Sequence, residues 1–297
     1  MGDARLSDPT ELLAWWEQQR RDLPWRETRD PWAVLVCEVM AQQTQVARVA
    51  ERWAPFLDRF PTPAVCASAP VSEVLRWWSG LGYNRRALLL HRCAVEVVAR
   101  HDGRLPRTLD DLLALPGIGP YTARAILAFA FEDDHAVVDT NAARVLARWR
   151  GRRLTAREAQ ATADEALLTG AAWAWNQAML DLGATVCTRR APRCGECPVP
   201  DRCAWARAGH PVPDPADGSA GVSVGQPAFE GSDRQGRGRL VEALRRGPVE
   251  RRDLAIATGW PSDPERAVRI AAALVADGLA AADGTRLTLP GRAAVSQ

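Results

Sequence analysis

Apolar residues recur at three- and four-residue intervals through the first two-thirds of the chain, as in Val71, Val74, Leu75 and Trp78. That period predicts helices over 10–20, 31–60, 71–79, 85–100, 108–115, 120–131, 141–150, 155–169 and 172–184. Glycine and proline mark the breaks, at Pro61 and Pro63, Gly80 and Gly82, Pro116 to Pro120, Gly151 and Gly170. No convincing apolar–polar alternation of a half-buried strand occurs before residue 210, so this part reads as all-α. Residues 209–232 are rich in Pro, Gly, Ser and Ala and read as a linker. Helical periodicity then resumes, and the end, LAAADGTRLTLPG, reads as a short hairpin. Three helices and a hairpin predict a small winged-helix-like module over 233–297.

Composition changes this picture in three ways. A chain of 297 residues, 47% hydrophobic, can bury two compact cores. All 38 Lys+Arg positions are Arg, so no lysine side chain can form a Schiff base. The N-terminal sequence MGDARLSDPTELL lacks the apolar core of a leader, and no apolar run nears the roughly 18 residues of a membrane span. The expectation is a cytoplasmic protein with no membrane partner, where structural disulfides are not expected. Cys37, Cys66 and Cys93 stand singly in apolar contexts and read as small core residues. The net charge of +2 says little about partners.

The other cysteines, Cys187, Cys194, Cys197 and Cys203, fall in one loop over 187–203 with the spacing C-x6-C-x2-C-x5-C. Four thiolates this close can converge on one centre, and zinc and a [4Fe–4S] cluster both accept four cysteines. Only Cys194 and Cys197 form the tight pair usual for zinc, and the uneven spacing leans towards the bulkier cluster, but spacing alone does not choose the metal. Arg189, Arg190, Arg193 and Arg202 make the loop basic, which suits phosphate. A second phosphate signal is Leu115-Pro116-Gly117-Ile118-Gly119-Pro120-Tyr121-Thr122. Its glycines allow a tight turn and close backbone approach, Pro120 suits a first helical turn, and the amides there can bind an anion. This is a helix–hairpin–helix pattern, which grips a DNA backbone without reading sequence.

Two carboxylates carry candidate chemistry. Glu38 interrupts the apolar run Trp32-Ala-Val-Leu-Val-Cys-Glu38-Val-Met-Ala41. Desolvation raises a carboxyl's pKa, and one that keeps its proton near neutrality can act as a general acid. The polar run Gln42-Gln43-Thr44-Gln45 follows and suits hydrogen bonding to a base edge. Asp139 lies where a buried extended run enters a helix, so it reads equally as an N-cap and as a charge partner for a cationic sugar. One protonated and one ionised carboxylate form the usual pair for cleaving a glycosidic bond.

Together these motifs resemble the A/G-specific adenine DNA glycosylases (the MutY family) of the helix–hairpin–helix glycosylases. The resemblance covers roughly 8–208. It includes Leu23-Pro24-Trp25-Arg26, Glu38 to Thr44, Gly80-Leu81-Gly82-Tyr83, Leu115 to Thr122, Val138 to Asn141, Asn176 to Gly183 and the four cysteines. It implies a two-lobed helical glycosylase domain over 1–208, a [4Fe–4S] cluster on Cys187, Cys194, Cys197 and Cys203, and a monomer acting near the nucleoid on double-stranded DNA. The substrate it implies is adenine opposite 8-oxoguanine or guanine. Glu38 would protonate adenine, Asp139 would stabilise the oxocarbenium ion, and Tyr121 and Asn141 would support Asp139. Arg21, Leu23, Trp25 and Arg26 would line the adenine pocket, Gln43 and Tyr83 would wedge beside the opposing purine, and Gly117 and Gly119 would meet phosphate. Strand-cleaving relatives carry a catalytic Lys where this chain has Tyr121, so a monofunctional enzyme is expected. The chain departs from the pattern at Ala41, at Asn84, where a second Tyr often follows Tyr83, and near Ala143, where a basic residue is expected. Residues 233–297 are too short and too helical for the Nudix-like domain that ends many members.

Overall fold

The computed structural model describes residues 10–219, 221 and 228–291. Residues 1–9, which bear on the expected absence of a leader, lie outside the described residues. So do 220 and 222–227 of the expected linker and 292–297 of the C-terminal module. In chain order the helices begin with α1 (Thr10–Gln19), α2 (Pro31–Ala41), α3 (Val46–Arg59), α4 (Pro63–Ser68), α5 (Val71–Trp77) and α6 (Arg85–Arg100). They continue with α7 (Leu109–Leu113), α8 (Pro120–Phe129), α9 (Thr140–Arg150), α10 (Ala156–Ala166), α11 (Ala172–Asp181) and α12 (Ala204–Arg207). The C-terminal part holds α13 (Asp233–Arg246), β1 (Val249–Glu250), α14 (Leu254–Thr258), α15 (Pro264–Ala276), β2 (Ala281–Asp283) and β3 (Arg286–Thr288). The all-α expectation for the first two-thirds holds among the described residues, none of which is in a helix long and apolar enough to cross a membrane.

Three boundaries differ from the periodicity. The helix expected over 31–60 is two, because the chain breaks after Ala41 and Gln43 turns to φ 55°. The cause lies elsewhere in the chain: Arg86 Nη1 donates to the carbonyls of Val39, Met40 and Gln42 at 2.8, 2.8 and 2.5 Å. A guanidinium on the last carbonyls ends a helix as a C-cap does. Helix α4 was not expected; Thr62 starts it by accepting from the Val65 amide, with Pro63 at the first position. The helix expected over 172–184 stops at Asp181 and widens into a π turn over Leu182–Val186.

The chain forms two compact units, neither of them continuous in sequence. The first takes residues up to 34, 107–109 and 119–225. Its core joins Leu12 and Trp16 of α1, Val145, Leu146 and Trp149 of α9, and Trp175 and Met179 of α11. At its centre Asp181, with no exposed surface, accepts from Trp16 Nε1 at 3.0 Å and from Arg26 Nη1 and Nη2 at 2.9 and 2.8 Å. Burial alone would raise the Asp181 pKa, but the hydrogen bond and charge of Arg26, with Arg21, hold it below the ordinary value. Part of the expected linker packs on this unit. Trp205 Nε1 donates to Pro211 O at 2.8 Å, and the Leu154 amide donates to Ser219 Oγ at 3.0 Å.

The second unit takes residues 35–106, 110–118 and 226 onward. Phe56 packs on Phe60 and Trp78, with ring centroids 4.9 and 5.8 Å apart. The helix α6 buries Ala87, Leu88, Leu90, Cys93, Ala94 and Val97. Cys37, Cys66 and Cys93 are buried free thiols, as expected; burial pushes Cys66 and Cys93 up to about 12. The C-terminal part is winged-helix-like. Its three helices pack around Leu240, Leu244, Leu254, Ile270 and Leu274. The antiparallel sheet has the order β1-β3-β2, pairing Val249 and Ala282 with Leu287 from either side.

Candidate active site and metal centre

In the second unit, α2 carries Glu38 on a helix that is otherwise nearly all buried. Val36, Cys37, Val39 and Met40 are at most 5% exposed, while Glu38 itself is half-buried. The polar residues after it are shaped by Arg86. Besides the α2 carbonyls, its Nη2 donates to Thr44 Oγ1, Leu81 O and Gly82 O at 2.9, 3.0 and 3.1 Å. One guanidinium therefore ties the end of α2 to the Gly80–Tyr83 turn. Burial lowers its pKa to about 10, which leaves it charged at neutral pH. Gln43 and Tyr83 are both exposed, and both have positive φ, 55° and 44°. Strain of this kind at a non-glycine residue collects at ligand-contacting sites. These two expected wedges are thus brought onto one scaffold.

A cavity of about 250 Å³ in this unit is lined by Val39, Gln42, Arg86, Leu89, Gly117 and Ile118. Gly117 has φ 80°, and a Cβ on it would lie 2.8 Å from Leu89 Cβ, so glycine is required for both backbone and space. Gly119, in the first unit, precedes α8 at ordinary backbone angles, and a Cβ there would meet nothing described within 4 Å. Pro120 opens α8, and Tyr121, half-buried, follows.

In the first unit Asp139 is the N-cap of α9. Oδ1 accepts from the Asn141 and Ala142 amides, both at 2.7 Å, and Oδ2 accepts from Asn141 Nδ2 at 2.9 Å. Burial raises the Asp139 pKa, and these bonds and the charge of Arg144 only partly offset it. The cap role and the charge-partner role are compatible. Asn141 is itself fixed: Arg144 Nη2 donates to its Oδ1 at 2.8 Å and to Gly183 O at 2.5 Å. A Cβ on Gly183 would lie 2.6 Å from Asn141 Cβ, so the π turn approaches α9 only because residue 183 is glycine. The predicted pocket residues Leu23, Trp25 and Arg26 lie on one short turn. Leu23 is buried and Trp25 half-buried. Arg26 is committed to Asp181, to Gln177 Oε1 at 2.8 Å and to Arg21 O at 2.7 Å; Arg21 joins the same carboxylate through Nε at 2.5 Å.

The four loop cysteines line one cavity of about 410 Å³, with Arg148, Trp149 and Leu182 in its wall. Among the described residues no group of three or more His, Cys, Asp or Glu is arranged for a single ion. Burial first, then the neighbouring sulfurs, raise the pKa of Cys194 and Cys203, and hold Cys197 at about 11. A cationic centre would relieve both effects, so the donor set fits the cluster. Arg148 braces the loop. It donates to Cys187 Sγ at 3.2 Å, Thr188 O at 2.9 Å, Arg189 O at 3.1 Å and Asp214 at 2.6 Å. Arg144 Nε reaches Cys187 O at 2.7 Å.

Arg86, Arg144, Arg148, Asp181 and Gly183 were not singled out by sequence reasoning, though Asp181 and Gly183 lie inside a quoted motif. The signal for Asp181 was a lone acid in the apolar run AWAWNQAMLDLG. The three arginines carry no comparable signal in a chain with so many.

Residues 36–167 match the family described as HhH-GPD superfamily base excision DNA repair protein, which the hairpin and helical units already define as a class. The adenine DNA glycosylase of Mycobacterium tuberculosis is 44% identical over 301 residues, covering 98% of this chain and 95% of its own. That of Mycolicibacterium smegmatis is 44% identical over 292 residues, covering 95% and 96%. Among solved structures, a thermostable thymine-DNA glycosylase superposes with a TM-score of 0.65 at 30% identity, over 67% of this chain and 95% of that one. The chain belongs to the adenine DNA glycosylase family of helix–hairpin–helix base-excision repair enzymes.

Proposed function

We propose that the protein hydrolyses the N-glycosidic bond of adenine paired with 8-oxoguanine or guanine in duplex DNA, as a monofunctional glycosylase. Adenine must leave the base stack to be reached. Glu38 donates its proton to adenine N7, and the base leaves neutral. Asp139, ionised, stabilises the oxocarbenium ion or captures it, and water completes the hydrolysis. Tyr121 and Asn141 support Asp139; Arg21, Leu23, Trp25 and Arg26 shape the base pocket; Gln43 and Tyr83 meet the opposing purine; Gly117 and Gly119 present amides to phosphate. Cys187, Cys194, Cys197 and Cys203 hold a [4Fe–4S] cluster, which staples the basic loop for DNA and takes no part in hydrolysis. The protein works as a monomer on DNA, near the nucleoid, in three parts: a glycosylase domain over 1–208, a linker over 209–232 and the winged-helix-like module over 233–297.

The observation that carries the reading is Glu38, a lone carboxyl among side chains at most 5% exposed, in a chain whose full-length relatives are named adenine DNA glycosylases. The absence of lysine supports the monofunctional part, since no lysine side chain can attack the sugar. Single-turnover base release from duplexes holding A:8-oxoguanine, A:G, T:G and A:T tests it, with and without alkali. Adenine release opposite 8-oxoguanine and G is expected, with strand scission only after alkali. In Glu38→Gln the rate should fall by at least about 100-fold, the usual contribution of a general acid. Release from T:G with none from the adenine mispairs would overturn the adenine assignment.

A further inference from the structure

Tyr83 sits in a short turn that two arginines hold from different sides. Arg86 takes the carbonyls of Leu81 and Gly82, and its guanidinium lies 5.5 Å from the centre of the Tyr83 ring. The second is Arg245, on α13 of the C-terminal module. Its Nη2 donates to Asn84 Oδ1 at 2.7 Å and its Nε to Leu75 O at 2.9 Å. Glu242, one helical turn earlier, accepts from Arg245 Nη1 at 2.8 Å and from Ser79 Oγ at 3.3 Å. The pair brackets the turn at both ends, Ser79 on one side and Asn84 on the other. Arg245 has only 9% of its side chain exposed, so these bonds are sheltered from water.

Asn84 precedes α6, where asparagine ordinarily caps the helix with its own side chain. Here it makes no side-chain cap bond, and its Oδ1 accepts from Arg245. Tyr83, immediately before it, is held at φ 44° and 44% exposed, a conformation that neighbours must impose. We propose that Arg245 and Glu242 are positioning residues for Tyr83, so that the C-terminal module sets how the enzyme judges the base opposite adenine. The inference rests on the reading of Tyr83 as the wedge beside the opposing purine.

The test is a double-mutant cycle on the full chain, reading the ratio of single-turnover adenine release from A:8-oxoguanine and A:G duplexes at saturating enzyme. Tyr83→Ala should lower the ratio. Asn84→Ala should lower it by roughly 10-fold, the loss of one hydrogen bond to a charged group, and Arg245→Ala, which also releases Leu75 O and Glu242, by at least as much. Arg245→Lys, which keeps the charge and can reach one acceptor, should restore part of it. In the Tyr83→Ala background, Arg245→Ala should change the ratio no further, because both act through one side chain. If Tyr83→Ala lowers the ratio and Arg245→Ala and Asn84→Ala do not, the positioning role is overturned. Additive effects overturn it as well. An unchanged ratio in Tyr83→Ala overturns instead the wedge reading beneath it. Should Arg245→Ala fail to fold, Asn84→Ala, which leaves the ion pair with Glu242 intact, carries the cycle alone.

Discussion

Asp139 shows how one side chain can serve structure and chemistry through different atoms. The cap uses Oδ1, on two backbone amides, while Oδ2 faces the Asn141 side chain. Asparagine caps helices about as well as aspartate. Asp139→Asn should therefore keep the melting temperature close to wild type while abolishing base release, and thermal unfolding beside single-turnover kinetics separates the two roles. The pH profile offers a finer check. The proposed working form is the carboxylate, and burial already raises its pKa above the ordinary value. Activity should thus fall off on the acid side at a higher pH than for an exposed aspartate. Asn141 lowers that pKa by donating to Oδ2, so Asn141→Ala should move the acid limb further up; a limb that stays or moves down would contradict this geometry. At this scale the sequence was informative where chemistry shows as an exception to its surroundings. Glu38 in an apolar run and four clustered cysteines are such exceptions. Arg26 was legible as part of the Leu23-Pro24-Trp25-Arg26 motif, yet its buried pairing with Asp181 depends on a partner 155 positions away.

Among the elements, α2 is the instructive case. Apolar residues resume at helical spacing in α3, at Val46, Val49, Trp53 and Phe56, so periodicity joins 31–60 into one helix across the polar run Gln42–Gln45. Arg86, more than forty residues later, fixes the break by taking the last carbonyls of α2, and the polar run Gln42–Gln45 by itself does not show where the helix ends. By contrast α6 and α8 were legible to within a few residues, because Gly80 and Gly82 break the chain before α6 and Pro120 opens α8. Arg86 thus holds a strained turn in place. Arg86→Met keeps the length of the side chain and strands several carbonyls, so it should cost about 3–5 kcal/mol in denaturant unfolding. A loss below about 1 kcal/mol would mean that the helix break is intrinsic to the sequence.

Across the whole molecule, the cysteine loop is the feature with the longest reach. Cys187, Cys197 and Cys203 pack against the same core that holds Trp16, Trp149 and Trp175. The basic loop is therefore an extension of the first unit's interior. Cys197→Ser, or iron removal by chelation, should lower the melting temperature and weaken duplex binding, most visibly in moderate salt, where phosphate contacts are screened. Loss of the proposed cluster's visible absorption with DNA affinity unchanged would count against the staple role. The C-terminal module was legible as three helices and a hairpin, while β1, only two residues long, left no periodic trace.

The first unit also has a consequence for the making of the protein. Helix α1 packs on α11, and Trp16 bonds to Asp181, 165 residues further along the chain. At a synthesis rate of about 5–20 residues per second, the apolar stripe of Leu12 and Trp16 waits roughly 8–33 s for the segment that covers it. During that interval the nascent chain presents tryptophan to the surrounding fluid, and only the arrival of α11 closes the unit. Yield in the cell should then depend on how the chain is escorted through those seconds, long before DNA is met.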